Sequence, residues 1–290
     1  MMDFRQVDVF TAVPYRGNPV AVVHGADGLS TEEMQRFAHW TNLSETTFVL
    51  SPTDPAADYR VRIFTPGSEL PFAGHPTIGT CHAWLEAGGA PATDGRVIQE
   101  CGVGLVTLRH ANGRLAFAAP PLIRDGPVDD ADLDRVCRVL GIDRSEVVDA
   151  QWADNGPGWI AVRLADAQTV LGLKPDFSAE ESYDVGVVGP YPVGVVAKIG
   201  VVGSTGSPEP AIEVRAFFRS GEAAAEDPVT GSLNAALAQW LLGDGTLEAP
   251  YTASQGTAIG RSGRVYVDEA DGEVWVGGDA VTCVIGTVDL

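Results

Sequence analysis

Two stretches of this chain repeat one another, and that repeat limits the fold more than any other feature. "VRIF" (61–64) and "VRAF" (214–217) each close a strand-like run. A Gly/Ser-Glu segment follows each, and then a proline at a helix start, in "GHPTIGTCHAWL" and "EDPVTGSLNAAL". Pro76, Gly79, Thr80 and Leu85 recur as Pro228, Gly231, Ser232 and Leu237, each 152 residues later (228 − 76). A strand, a loop and a helix start in one order imply duplicated halves about a pseudo-two-fold axis, with a cleft between them.

The rest of the pattern is mixed α and β. "FRQVDVFTA" and "PVAVVHG" read as strands joined by a turn through Arg16, Gly17 and Asn18. Ser30 and Glu33 form a capping box, and Met34, Phe37 and Ala38 follow at helical spacing, which predicts a helix over about 30–40. Tyr59, Val61 and Ile63 alternate with two arginines, as in a strand. A helix is expected from Pro76 to the Gly88-Gly89 pair. "VIQECGVGLVTLRH" and "RLAFAAP" read as a pair of strands. The proline-rich "APPLIRDGPVDD" (119–130) is the best linker, so the expected domains are 1–118 and 128–279. Beyond it, Leu133, Val136, Cys137 and Leu140 form a helical stripe ending at Gly141. Strands are expected near 159–164, 185–189, 193–202 and 211–218, and a helix over Gly231–Leu242. "RVYVDEADGEVWVGG" reads as a hairpin turning at Asp271-Gly272.

Charge narrows the function. The formal net charge is −20, which repels nucleic-acid phosphates and anionic lipid, so neither is an expected partner. The first residues lack an apolar signal core, and residues 185–202 are broken by glycines, prolines and a lysine. Cys81, Cys101, Cys137 and Cys283 are scattered without a CxxC and read as reduced thiols of a cytoplasmic protein. His75 and His82 stand seven apart with no third ligand, so no metal site is expected. No GxSxG is present, and "GVVGSTG" lacks the GxGxxG order.

A helix N-terminus after a loop of small residues offers unpaired N–H groups and a positive dipole end. Two such termini, one per half, could hold a small carboxylate, with hydroxyls from Thr80 and Ser232 as added donors. The blander account is that Pro, Gly, Thr and Ser merely start helices. His75 and Asp227 each precede the proline and each titrate; equally, the histidine could be structural and the aspartate a helix cap. Glu45 in "NLSETTFVL" stands where a polar cluster runs into a core strand. It is either a solvated strand end or a carboxylate held partly out of water.

The motifs "DVFTAVPYRGNPVAVV", "NLSETTFV", "RIFTPGSELPFAGHPTIGT", "EDPVTGSLNAAL" and "SQGTAIGRSGRVYV" occur in this order over almost the whole chain. Together they resemble the PhzF family of phenazine-biosynthesis isomerases, more distantly related to diaminopimelate epimerase. The resemblance implies an α+β fold of two pseudo-symmetric domains. Each would be a strongly curved, mostly antiparallel sheet around a central helix, with a final strand (about 280–290) returning to the first domain. It implies a homodimer needing no cofactor and no metal. It implies Glu45 as the general acid and base, with His75 and Asp227 assisting, and Gly74, Gly231 and Ser232 binding the substrate carboxylate. The epimerase relatives place cysteines before both helices; here those places hold Gly74 and Asp227, which argues against two-thiol chemistry. Two departures from the family pattern, the turn Phe218-Arg219-Ser220-Gly221 and Asn234 where histidine is frequent, are expected near the cleft rim.

The activity expected is a proton shift within a small cyclic amino or hydroxy carboxylic acid resembling a dihydro-hydroxyanthranilate. Burial of Glu45 would raise its pKa toward neutrality and suit it to the work. A carbon–carbon bond hydrolase of antibiotic or other specialised metabolism, on the same scaffold, and a non-catalytic binding protein are the alternatives.

Overall fold

A computed structural model gives the architecture, describing residues 1–111, 113–176, 178, 182–192, 209–220 and 223–290. The chain divides into two compact units: Met1–Ala118 with Gly277–Leu290, and Ala119–Val276.

Unit 1 contains β1 (Met2–Val9), β2 (Asn18–His24), α1 (Thr31–Thr41), β3 (Glu45–Leu50), β4 (Tyr59–Phe64), β5 (Glu69–Leu70), α2 (Gly74–Glu86), β6 (Arg96–Cys101), β7 (Gly104–Ala111) and β8 (Arg114–Ala118). Its pairings run β1–β2 antiparallel, β2–β3 parallel, β3–β4 and β4–β5 antiparallel, β4–β6 parallel, then β6–β7 and β7–β8 antiparallel.

Unit 2 opens with α3 (Asp130–Leu140) and then repeats the scheme. Its elements are β9 (Val147–Trp152), β10 (Ile160–Leu164), α4 (Ala167–Gly172), β11 (Ser182–Pro190), β12 (Ile212–Ser220), β13 (Ala223–Asp227), α5 (Gly231–Gly243), β14 (Tyr251–Gln255), β15 (Gly263–Ala270) and β16 (Glu273–Gly278). The pairings follow the same order: β9–β10 antiparallel, β10–β11 parallel, β11–β12 and β12–β13 antiparallel, β12–β14 parallel, β14–β15 antiparallel. The last strand, β17 (Ala280–Val288), pairs antiparallel with β1 in unit 1.

The hydrophobic pattern explains why one helix of each unit is central. α1 buries one stripe, Met34, Phe37 and Ala38, behind the Ser30–Glu33 capping box. α2 and α5 are instead buried nearly all round, from Gly74 to Cys81 and from Leu233 to Ala238. Small residues let strands close on them. A Cβ on Gly79 would press into Val20 and lie 2.8 Å from Val9 Cγ2. The Asp271-Gly272 turn between β15 and β16 has positive φ at both residues, 58° and 78°, the type I′ signature.

The structure revises the repeat. Phe64 matches Phe217, because β4–β5 pairs Phe64 with Glu69 and β12–β13 pairs Phe217 with Glu226. That is an offset of 153 (217 − 64), but Glu69 to Glu226 and Gly74 to Gly231 are both 157 apart (226 − 69, 231 − 74). The hairpin is four residues longer in unit 2, where pairing runs on from Phe217–Glu226 to Ser220–Ala223. "ELPFAGH" therefore matches "EDPVTGS", and the repeated proline is Pro71 with Pro228, not Pro76. His75 corresponds to Ser232, and Asp227 to Leu70.

Other expectations shift as well. α2 starts at Gly74, two residues before Pro76, and "VIQECGVGLVTLRH" makes two strands, β6 and β7, split at Gly102-Val103. β9 and α4 have no clear signal in the sequence. The strand expected at 193–202 and the Gly221 turn position lie outside the described residues. Residues 123–127 are tied to unit 2 through bridges Arg124↔Asp154 and Pro127↔Gln151.

Candidate active site

In unit 1 the polar cluster before β3 ends α1 at Asn42, a left-handed cap with φ 54°. β3 then begins at Glu45, beside Val20 of β2. Alternation turns Glu45 and Thr47 toward α2, where Thr80 Oγ1 donates to Thr47 Oγ1 at 2.8 Å. Glu45 Oε2 lies 3.3 Å from His75 Nε2, with the two side chains 15% and 5% exposed. The sequence motif thus opens a strand whose first side chain faces the start of the central helix. It is not a solvated strand end.

His75 is the second residue of α2. Burial pushes its pKa from 6.5 down to about 3, and a hydrogen bond from the ring to the Pro19 carbonyl opposes this only in part. The imidazole is therefore neutral near pH 7, with one N–H and one lone pair. Asn18 Nδ2 sits 3.4 Å from its Nδ1. Asn18 and Pro19 owe their place to the β1–β2 loop, held by Asp8: its Oδ2 accepts from the backbone N–H of Arg16 (2.7 Å) and Gly17 (3.0 Å). Gly74 begins the helix behind Ala73, which offers no side-chain cap, so the first-turn N–H groups of Gly74 and His75 face outward from the helix end.

In unit 2, Asp227 ends β13 opposite Ala216. It is not the cap of α5; that position is Thr230. Thr230 Oγ1 donates to Asp227 Oδ2 at 2.6 Å. The direction of this bond is set by Gln255, which is fully buried. Gln255 Oε1 accepts from Thr230 N–H (3.0 Å) and from Asn234 Nδ2 (2.8 Å). Its Nε2 must then donate to Thr230 Oγ1 (2.9 Å) and to the Asp227 carbonyl (3.1 Å). With one lone pair taken, the Thr230 hydroxyl proton points at Asp227.

Ser232 is fixed by the same logic. Trp159 Nε1, which can only donate, reaches Ser232 Oγ at 3.1 Å, and Asn155 Nδ2 donates to the Ser232 carbonyl at 2.9 Å. The Ser232 hydroxyl is left to donate to something else. Gly231 begins α5, and its first-turn N–H groups add further donors. Asn234, expected at a cleft rim, is instead 1% exposed and spans Thr230 and Gln255.

Glu45, Gly74 and His75 are thus brought together in unit 1, and Asp227, Gly231 and Ser232 in unit 2. Among the described residues no cluster of three or more metal-ligating side chains occurs, and no helix is long and apolar enough to cross a membrane. The four cysteines are free thiols, and burial raises Cys81 to about 12.

The chain matches the PhzC-PhzF family, described as phenazine biosynthesis-like protein, over residues 7–286. It belongs to that family. A Schizosaccharomyces pombe relative named Antisense-enhancing sequence 1 is 38% identical over 305 residues, covering 98% of this chain and 97% of the relative. Trans-2,3-dihydro-3-hydroxyanthranilate isomerase of Pseudomonas fluorescens is 33% identical over 307 residues, covering all of both chains. The crystal structure of the Bacillus anthracis PhzF-family protein matches with a TM-score of 0.80 at 23% identity, over 100% of this chain and 99% of that one. The fold is the α+β, epimerase-like one of PhzF proteins, and the chain is an isomerase of this family.

The sequence does not single out several residues that hold the candidate site residues in this PhzF-family chain: Asn18, Trp159, Thr230 and Gln255. In the sequence Asn18 stands out only as a turn residue and Gln255 only as part of "SQG". Each was visible as a polar or aromatic residue beside a strand end, but nothing local told which side chain it would hold.

Proposed function

We propose that this PhzF-family protein shifts a proton between carbons of a small cyclic amino or hydroxy carboxylic acid, of the dihydro-hydroxyanthranilate kind, with Glu45 taking and returning the proton. The observation that carries this reading is the Glu45–His75 contact. A carboxyl sits 3.3 Å from a buried imidazole that burial keeps neutral. A cationic histidine would hold Glu45 as a weakly basic ion pair; a neutral one does not, and it can accept or donate a proton in turn. His75 and Asp227 assist at the substrate's polar groups. Gly74, Gly231 and Ser232 bind its carboxylate through helix-end N–H groups and the directed hydroxyl. Proton transfer of this kind calls for no cofactor.

The test is turnover of trans-2,3-dihydro-3-hydroxyanthranilate, the substrate named for the Pseudomonas relative, by the wild type and Glu45→Gln. Glutamine keeps the shape but cannot act as a base, so turnover should fall by roughly 10²-fold or more. In deuterated water the wild-type product should carry deuterium at the reprotonated carbon. Near-full turnover by Glu45→Gln would move the role to His75 or Asp227.

A further inference from the structure

The internal repeat assigns a residue that the site described above leaves out. In unit 1, Thr47 of β3 pairs with Ile63 of β4, which pairs with Leu70 of β5. In unit 2, Gly186 of β11 pairs with Ala216 of β12, which pairs with Asp227 of β13. These two rows are equivalent, since Ile63 and Ala216 each precede the matched phenylalanines. Glu45 stands two residues before Thr47; Asp184 stands two residues before Gly186. Asp184 is therefore the counterpart of Glu45.

The face agrees with the register. Thr47 bonds to Thr80 of α2, so that face of β3 looks at the central helix. A Cβ on Gly186 would lie 2.7 Å from Leu233 Cδ2, in the first turn of α5, so Gly186 and Asp184 look at α5. Leu233 follows Ser232, and Asp184 is about 7 Å along the strand from Gly186. The parallel pairing of Ile160 with Val185 also puts Trp159, whose indole holds Ser232, next to Asp184. Asp184 is partly buried here. Burial, with a smaller contribution from the charge of Asp154, raises its pKa to about 6. Asn155 adds a second acceptor: its Nδ2 is used by Ser232, and its Oδ1 is buried without a hydrogen-bond partner.

A carboxyl beside a carboxylate-binding helix end repels the ligand unless the ligand brings a donor of its own. We propose that Asp184 contacts the substrate directly, accepting from its amino group while Gly231 and Ser232 hold its carboxylate. The proposal rests on the reading of the α5 terminus as the carboxylate site, and it makes Asp184 the residue that favours amino acids over simple acids.

The test measures binding of cis-2-aminocyclohexanecarboxylate and cyclohexanecarboxylate by calorimetry to the full chain. The wild type should bind the amino acid about tenfold more tightly, as one hydrogen bond to a charged group provides. Asp184→Asn should bring the two within about twofold of each other. A preference that survives in Asp184→Asn, or a wild type that binds both acids equally, overturns the role of Asp184 alone. A wild type that binds neither acid overturns the carboxylate site, and the proposal falls with it. Should Asp184→Asn not fold, the ¹³Cγ resonance of Asp184 in the wild type serves instead. It should move on addition of the amino acid and not of the simple acid; a resonance that stays still overturns the proposal.

Discussion

Gln255→Leu isolates what the polar end of unit 2 is worth. Leucine approximates the volume but offers neither donor nor acceptor. Gln255 makes four hydrogen bonds within a fully buried setting. Its loss strands the Thr230 N–H and leaves Asn234 Nδ2 with the Thr230 carbonyl alone, at 2.9 Å. An unmet buried donor costs ~1–3 kcal/mol, so about 2–4 kcal/mol of stability should be lost for one stranded and one weakened group. That is a large part of the ~5–15 kcal/mol that holds a typical protein folded. The hydroxyl of Thr230 would also be free to turn from Asp227. Gln255→Glu is the informative companion. It keeps the acceptor for Thr230 and Asn234 but puts an oxygen against the Asp227 carbonyl. Protonation restores a donor there, so this variant should be destabilised more at pH 8 than at pH 5. Urea unfolding followed by tryptophan fluorescence and circular dichroism measures both. A loss under about 0.5 kcal/mol for Gln255→Leu, or no pH dependence in the gap between Gln255→Glu and wild type, would refute the donor–acceptor assignment.

Two further outcomes follow from packing and burial. Gly79→Val should cost ~1–3 kcal/mol or more by overpacking, because Val20 and Val9 already occupy the space of its side chain; a melting temperature within a degree of wild type would contradict the close approach. His75, with its pKa lowered to about 3, contributes stability that is whole above its unfolded value of 6.5 and is lost as pH falls from there toward 3; melts between pH 7.5 and 4 should show a shallower acid decline in His75→Gln than in wild type, and equal slopes would contradict the buried neutral imidazole.

Much of the fold is legible in the sequence because its signals are local. The Ser30–Glu33 box starts α1, the Asp271-Gly272 turn joins β15 and β16, and alternation marks β4. The apolar, small-residue composition of 231–242 marks a helix buried on all sides. The candidate site was legible in part: a glutamate entering an apolar strand, and a histidine and a serine at helix starts. What misled was the conspicuous proline of "GHPT". It suggested one offset for the whole repeat, whereas a longer hairpin in unit 2 changes the offset midway.

The sequence by itself determined where most strands and helices form, β9 and α4 aside, and that the chain is built twice, since those depend on neighbours within a few residues. Tertiary structure decided which side chains meet. Asn18 reaches His75 across 57 positions, Trp159 reaches Ser232 across 73, and Gln255 reaches Thr230 across 25. It also decided the protonation of His75 and Asp184, because a pKa is set by the solvent removed and the partners gained on burial, and neither exists until the strands close around the helix.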